Sequence, residues 1–353
     1  MIRLGIVGTN YGRSVLIPAF RNDPRCLVLA LAGTDQARTA EIARASGIPA
    51  AFGNWEDLLK RADIDAVAIA TPPAVQPAIA IRAFERDKAV LIEKPMSANL
   101  ADAAEMLRAS RVGEQVGMID FNFAELPTWR KAREMLHAGA IGQLRHIFIN
   151  WNFENRTTEL RLRHWKTSAA DGGGTLGNIA SHAMYYLEWF CGPINELTAR
   201  LSSLPDDPEL EVNVMVTFSF PSGASGSLTI SSASFLGSGH RLEFYGEDGT
   251  LVLANPTTDY MRGFTVQHAR RPAAALQAVP VDPDPLDEGA PDGRIAPVSR
   301  LASRFLDAIE RREPASPGFA EGYRAQVLLD AVRRSHDSKS AVKIDDPAAS
   351  ELR

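Results

Sequence analysis

Residues 2–13 read Ile2-Arg3-Leu4-Gly5-Ile6-Val7-Gly8-Thr9-Asn10-Tyr11-Gly12-Arg13, a short apolar run that breaks into a glycine-rich turn. A strand that ends in such a turn and then enters a helix suits phosphate binding. The backbone must reverse tightly there and let pyrophosphate oxygens approach the N–H groups at a helix N-terminus. The string departs from the G-x-G-x-x-G spacing. Asn10 takes the second glycine position, where asparagine tolerates left-handed angles better than most residues. Arg13 takes the third, with Gly12 just before it. The same turn also suits an ordinary strand-to-helix connection, so the rest of the chain has to decide.

Apolar runs at 3–7, 26–32, 66–70, 89–93 and 116–121 are rich in Val, Ile, Leu and Ala, as strands buried on both faces must be. Between them lie amphipathic stretches. Residues 35–46 place Ala37, Ala40, Ile42 and Ala43 on one stripe, and 54–62 opens on Asn54, a good N-cap, with Leu58 and Leu59 inward. This alternation predicts an α/β Rossmann domain over 1–121 with a doubly wound parallel sheet. After Phe121 the rhythm changes. One helix at 125–137 leads to a long strand at 143–153, and later strands at 211–220, 224–233, 241–245 and 250–253 have no helices between them. Turn signals at Pro221-Ser222-Gly223 and Glu247-Asp248-Gly249 predict an antiparallel meander in a second domain, 122–353. Residues 272–295, rich in Pro, Asp and Ala, read as a surface loop or mobile flap. Helices at 298–311 and 319–335 are candidates to pack back on the first domain, before a short strand at 341–344.

The chain has 353 residues, 45% hydrophobic and 23% charged, which is long enough for two well-packed domains. A formal net charge of −5, with Lys and Arg scattered, argues against nucleic acid as a partner. Cys26 and Cys191 are too few and too distant for a disulfide framework or a metal knuckle. A reducing, cytoplasmic setting with no metal is expected. The apolar start is interrupted by Gly and polar residues, so it reads as a strand rather than a leader, and no window approaches the roughly 18 apolar residues of a membrane span.

After the second strand the chain reads Leu31-Ala32-Gly33-Thr34-Asp35, with Gly33 where a ribose-binding carboxylate usually stands. That absence leaves room for a 2′-phosphate with Thr34 and Arg38 as donors, which favours NADP(H) over NAD(H). Asp35 either reaches a ribose hydroxyl or caps the next helix. Ala70-Thr71-Pro72-Pro73 and Leu91-Ile92-Glu93-Lys94-Pro95 both end strands, and carboxyl ends are where doubly wound sheets bind ligands. Further on, Asp171-Gly172-Gly173-Gly174 leads through Asn178 to His182. A separation of four residues puts the last two on one face of a helix.

Together these residues resemble the Gfo/Idh/MocA family of oxidoreductases, named for glucose-fructose oxidoreductase and inositol dehydrogenase. The likeness runs over nearly the whole chain, through the glycine turn, Ala70-Thr71-Pro72, Glu93-Lys94-Pro95, Phe121-Asn122 and the Gly172 to His182 segment. It implies a Rossmann domain followed by an α/β domain with an open, mostly antiparallel sheet, whose flat face serves assembly into a homo-oligomer, a dimer or tetramer. It implies transfer of a hydride between NADP or NAD and a secondary alcohol or ketone of a sugar, cyclitol or sugar derivative. The dinucleotide would be held by Gly8, Thr9, Asn10, Tyr11, Gly12, Thr34, Arg38, Thr71, Pro72, Glu93, Lys94 and Asn122. Lys94, His182 and Asn178 would carry the chemistry, and the same three with Trp165 would hold the substrate. Family members carry Asp where this chain has Asn178, and an amide cannot take a proton, so acid–base work falls to Lys94 and His182. Tyr186 stands where many relatives carry a second Asp, and helix packing is its simpler role. Two other readings remain open: an enzyme that retains its dinucleotide and uses it transiently to cleave a glycosidic bond, and a non-catalytic dinucleotide-binding protein.

Overall fold

A computed structural model describes residues 1–344. The chain divides into two units, the first formed by 1–125 and 284–326 and the second by 126–283 together with 327 onward. Helix Phe319–Ser338 passes from one to the other.

In the first unit six strands, β1 (Ile2–Val7), β2 (Cys26–Ala32), β3 (Ala50–Phe52), β4 (Ala66–Ile69), β5 (Ala89–Ile92) and β6 (Gly117–Ile119), form one sheet in the order β3-β2-β1-β4-β5-β6. Every neighbouring pair is parallel. The central strands β4 and β5 are buried at every position, which is why they read as unbroken apolar runs. Helix caps are local and polar: Asp35 accepts from Arg38 N at 3.0 Å, Asn54 from Asp57 N at 2.8 Å and Asn99 from Asp102 N at 2.9 Å. The sheet reverses direction between β1 and β4, so the crevice at their carboxyl ends is the place where such folds bind ligands. Helix Ile295–Arg311 completes this unit. It buries Val298, Leu301, Ala302, Phe305 and Leu306 completely, a 3.6-residue stripe. Phe305 meets Phe20 edge to face, ring centroids 6.3 Å apart.

Among the described residues the second unit holds nine strands: β7 (Leu144–Asn152), β8 (Glu196–Leu204), β9 (Asp207–Ser219), β10 (Ser225–Ser231), β11 (Gly239–Gly246), β12 (Gly249–Asn255), β13 (Thr265–Arg270), β14 (Gln277–Val279) and β15 (Val342–Lys343). Their order is β14-β13-β12-β11-β7-β10-β9-β8-β15. Only β7 and β10 pair in parallel, so the sheet is mostly antiparallel as expected. The turn at Pro221–Gly223 closes with Phe220 N donating to Ala224 O at 2.9 Å. Helices Pro127–His137 and Ser181–Cys191 supply the core. Trp129 is fully buried among Tyr186, Phe190, His240 and Phe264, at centroid distances of 4.9, 5.7, 5.6 and 5.3 Å.

The structure corrects several expectations. The strand expected at 116–121 ends at Ile119, and Asn122–Glu125 is a 3-10 turn. β3, β8 and β13 were not expected, and part of the segment read as unbroken loop pairs as β14. The helix expected after the glycine turn starts as a π-helical turn, Gly12–Leu16, before Ile17–Arg21.

Candidate active site

In the first unit the glycine turn has a steric cause. Gly8 adopts φ +117°, and a Cβ there would lie 2.3 Å from the Ala70 carbonyl oxygen, so the ends of β1 and β4 approach only because position 8 carries no side chain. Beyond it, Asn10 Oδ1 accepts from the Arg38 guanidinium at 2.9 Å. Asn10, Thr34 and Arg38 are exposed, whereas Thr9 and Tyr11 are half-buried and Gly12 is buried. Asp35 is engaged as a cap. At the end of β4 the Pro72 carbonyl accepts from Val75 N and Gln76 N. Gln76 Nε2 donates to Pro95 O at 2.7 Å, tying this loop to the one after β5.

The carboxyl ends of β5 and β6 hold a polar network. The Tyr11 hydroxyl donates to Asp120 Oδ2 at 3.0 Å and accepts from Asn122 Nδ2 at 3.5 Å, while Arg294 stacks over its ring at 5.2 Å. Glu93 Oε2 accepts from the Lys94 backbone N–H at 3.2 Å, and the Lys94–Pro95 peptide is cis. Burial, reinforced by the charge and hydrogen bonding of Glu93, pushes Asp120 well above the usual carboxylate range, against the opposing Tyr11 bond and Lys94 charge. Asp120 was hidden in the sequence inside a run read as strand. Its signal was an acid at the end of an apolar stretch.

These residues fit a dinucleotide. Among the described residues, Thr71 Oγ1 and Asn122 Oδ1 are buried polar atoms with no protein hydrogen-bond partner, and they follow β4 and β6 along the edge that flanks the Gly8 turn. A ligand with amide and hydroxyl donors would satisfy such atoms. The structure thus places Gly8, Thr9, Asn10, Tyr11, Gly12, Thr34, Thr71, Pro72, Glu93, Lys94 and Asn122 just past strand ends of one sheet, with Arg38 in the first turn of helix Gln36–Ala45.

In the second unit the Gly172–Gly174 segment is a close-packed loop. A Cβ on Gly173 would lie 1.9 Å from Trp165 O, and one on Gly177 would lie 2.0 Å from Gly172 O. Residues Leu176–Ala180 form a second π-helical turn before helix Ser181–Cys191. Glu211 holds the start of that turn, its Oε1 accepting from Leu176 N at 2.7 Å, and burial raises its proton affinity. Asn178 and His182 are both buried, at 9% and 6% exposure. They lie on either side of the change of winding rather than within one regular α-helix, which corrects the basis of the same-face argument. His182 lies beside Trp151, ring centroids 6.5 Å apart, and Trp151 stacks on His240 at 4.3 Å. Tyr186 is a packing residue: it is fully buried, with its hydroxyl 3.0 Å from His240 Nε2. Trp165 is half-buried and, with Arg163, His164 and Glu211, lines a cleft of about 730 Å³. Arg163 is held there by both oxygens of Asp207, at 2.8 and 2.7 Å. Asn155 caps a short helix, Arg156–Glu159.

Residues 2–121 match the model of an oxidoreductase family with an NAD-binding Rossmann fold, and 129–252 match a GFO/IDH/MocA C-terminal domain. The chain belongs to the Gfo/Idh/MocA family of oxidoreductases. An uncharacterized oxidoreductase of Synechocystis sp. is 30% identical over 98% of this chain and 96% of its own. Levoglucosan dehydrogenase of Pseudarthrobacter phenanthrenivorans is 26% identical over 88% and 87% of the two chains. A levoglucosan dehydrogenase structure in complex with NADH and levoglucosan superposes with a TM-score of 0.86 at 22% identity, covering 98% of this chain and all of that one. Family membership makes this protein an oxidoreductase with an NAD-binding domain, as the residues had implied. Among the described residues no helix is long and apolar enough to cross a membrane.

Proposed function

We propose that the protein interconverts a secondary alcohol and its ketone on a sugar, cyclitol or sugar derivative, with NADP(H) or NAD(H) as hydride carrier and Lys94 as the group that moves the proton. The observation that carries this reading is the position of Lys94. It is the second residue past β5, at the carboxyl edge of the sheet, next to an acid network built by Glu93, Asp120 and Tyr11. Levoglucosan dehydrogenase, an anhydrosugar enzyme by its name, supports the substrate class.

A bound nicotinamide dinucleotide supplies hydride transfer at its ring. The chain's own residues do the rest. Gly8 and Gly12 let backbone N–H groups approach the pyrophosphate, Thr34 and Arg38 meet the adenosine ribose or its phosphate, and Thr71 and Asn122 offer polar atoms for the nicotinamide end. As the alcohol carbon gives up its hydride, the hydroxyl proton passes to Lys94 Nζ, and the reverse holds for ketone reduction. His182 and Asn178 orient the hydroxyl, with Asn178 contributing only hydrogen bonds, and Trp165 offers an apolar surface to a sugar ring. Lys94→Ala should lower kcat/KM about 10²-fold or more, the range of a lost general acid or base, while weakening NADH and NADPH binding far less. Steady-state kinetics over a polyol panel and fluorescence titration measure the two. Near-parental turnover in Lys94→Ala would overturn this reading.

A homo-oligomer is part of the same proposal. One face of the nine-stranded sheet presents rows such as Arg241, Asn150, Thr229, Met215 and Arg200 across β11, β7, β10, β9 and β8, with Met215 46% exposed. Met215→Glu should reduce the mass seen by light scattering toward that of one chain, and a parent that is already monomeric refutes the assembly.

A further inference from the structure

Two acids end neighbouring strands of the first sheet. β5 and β6 run parallel with Ile92 opposite Ile119, and Asp120 N continues the ladder by donating to Ile92 O at 2.8 Å. The next residues, Glu93 and Asp120, therefore fall side by side, at the roughly 4.8 Å spacing of adjacent strands. Asp120 is 1% exposed, and Glu93 is the acid whose charge adds to burial in raising its proton affinity. One oxygen of each acid is accounted for: Asp120 Oδ2 accepts from Tyr11, and Glu93 Oε2 accepts from the Lys94 N–H. The other two, Asp120 Oδ1 and Glu93 Oε1, are buried and take no donor. Two ionised carboxylates offer only acceptors to each other, whereas a single proton between them satisfies both.

We propose that Glu93 and Asp120 hold one proton between Oε1 and Oδ1 at neutral pH, so that the pair presents Lys94 with one negative charge rather than two. Like charges this close in a buried site do not both ionise. The groups around the pair favour the same state. Tyr11, on the loop after β1, donates to Asp120 and steadies the ionised form, and Lys94 acts in the same sense by its charge. Burial and the Glu93 charge outweigh both. Farther out, Arg294 lies over the Tyr11 ring and is paired with Asp292, and Glu125 is paired with Arg304. Asp120 is thus a positioning residue. It acts through Glu93 on the charge that Lys94 meets, and loss of the shared proton at high pH would set two negative charges rather than one beside Lys94.

This inference rests on Lys94 moving the reaction proton, but its test does not. Infrared spectra of the full chain in D2O, without dinucleotide or substrate, should show the carbonyl stretch of a protonated carboxylic acid at neutral pH. That band should vanish in Asp120→Asn, persist in Glu211→Gln, which removes another buried acid, and shift in Tyr11→Phe. The alkaline side of the pH profile of kcat/KM should differ between the parent and Asp120→Asn, whose amide cannot give up the shared proton. If Asp120→Asn does not fold, the parent titrated to high pH must lose a band that Tyr11→Phe displaces. A neutral-pH spectrum with no protonated-acid band sensitive to position 120 or to Tyr11 overturns the proposal and leaves the role of Lys94 standing. Near-parental turnover in Lys94→Ala removes that role and leaves the band in place.

Discussion

Gly33 stands where a ribose-binding carboxylate would be expected, and its surroundings explain the absence. A Cβ there would lie 2.6 Å from both Thr9 Cγ2 and Thr39 Oγ1, and the Thr39 hydroxyl is itself committed to Asp35 O at 2.6 Å. Position 33 therefore has no room for a side chain, and the donors available to a 2′-phosphate are the exposed Thr34 and Arg38. Arg38 is already steered toward the glycine turn by its bond to Asn10. Arg38→Ala should weaken NADPH binding about tenfold more than NADH binding, a difference of about 1.4 kcal/mol. Equal losses for the two dinucleotides, measured by fluorescence titration, would show that Arg38 does not meet the 2′-phosphate.

At the scale of the elements, the strands buried on both faces were legible because they must be apolar throughout, and β2 runs over the residues expected for it. Elements governed by partners elsewhere in the chain were not. β3 is three half-buried residues with no period, and β8 and β13 carry polar side chains at alternate or exposed positions. The two π-helical turns were invisible for another reason: α and π windings use the same residue types and differ only in which carbonyl each N–H finds. The candidate site was readable where backbone geometry forces a glycine, as at Gly8, or where a signature such as Glu93-Lys94-Pro95 stands out. Asp120 became visible only when β6 was seen to stop at Ile119. Gly8→Val tests the strongest of these elements, since it places a branched side chain at φ +117° against Ala70 O, a strain of about 1–3 kcal/mol or more. The ends of β1 and β4 should part and NADH affinity should fall at least tenfold in protein that circular dichroism shows to be folded. Unchanged affinity would mean that the dinucleotide does not use this turn.

Stability of the whole molecule should carry a mark from His240. Burial holds its imidazole down to about 3 from an ordinary value of 6.5, so the native protein refuses a proton that the unfolded chain accepts between those values. The stability that neutral His240 contributes is complete above about 6.5 and is lost as pH falls toward 3, with a slope of up to about 1.4 kcal/mol per pH unit. His240→Gln should flatten this acid limb in urea titrations followed by tryptophan fluorescence, to which Trp151 and Trp129 beside His240 contribute. An acid limb as steep as the parent's would place the sensitivity elsewhere.

The first unit is also discontinuous, taking in 1–125 and then 284–326. During synthesis its sheet emerges early, but the helix that covers Phe20 and its neighbours emerges only after eight of the nine strands of the second sheet have been made. Val298, Leu301, Phe305 and Leu306, all completely buried, each contribute about 1.5–3 kcal/mol once they dock. Until then the nascent half-domain shows the ribosome's surroundings an apolar flank of the kind that chaperones recognise. The same arrangement means that a stop codon near residue 125 would not release a minimal dinucleotide-binding module. It would release an open half-core prone to aggregate, and a self-standing version would have to be made by splicing the 284–326 segment onto the end of the first 125 residues.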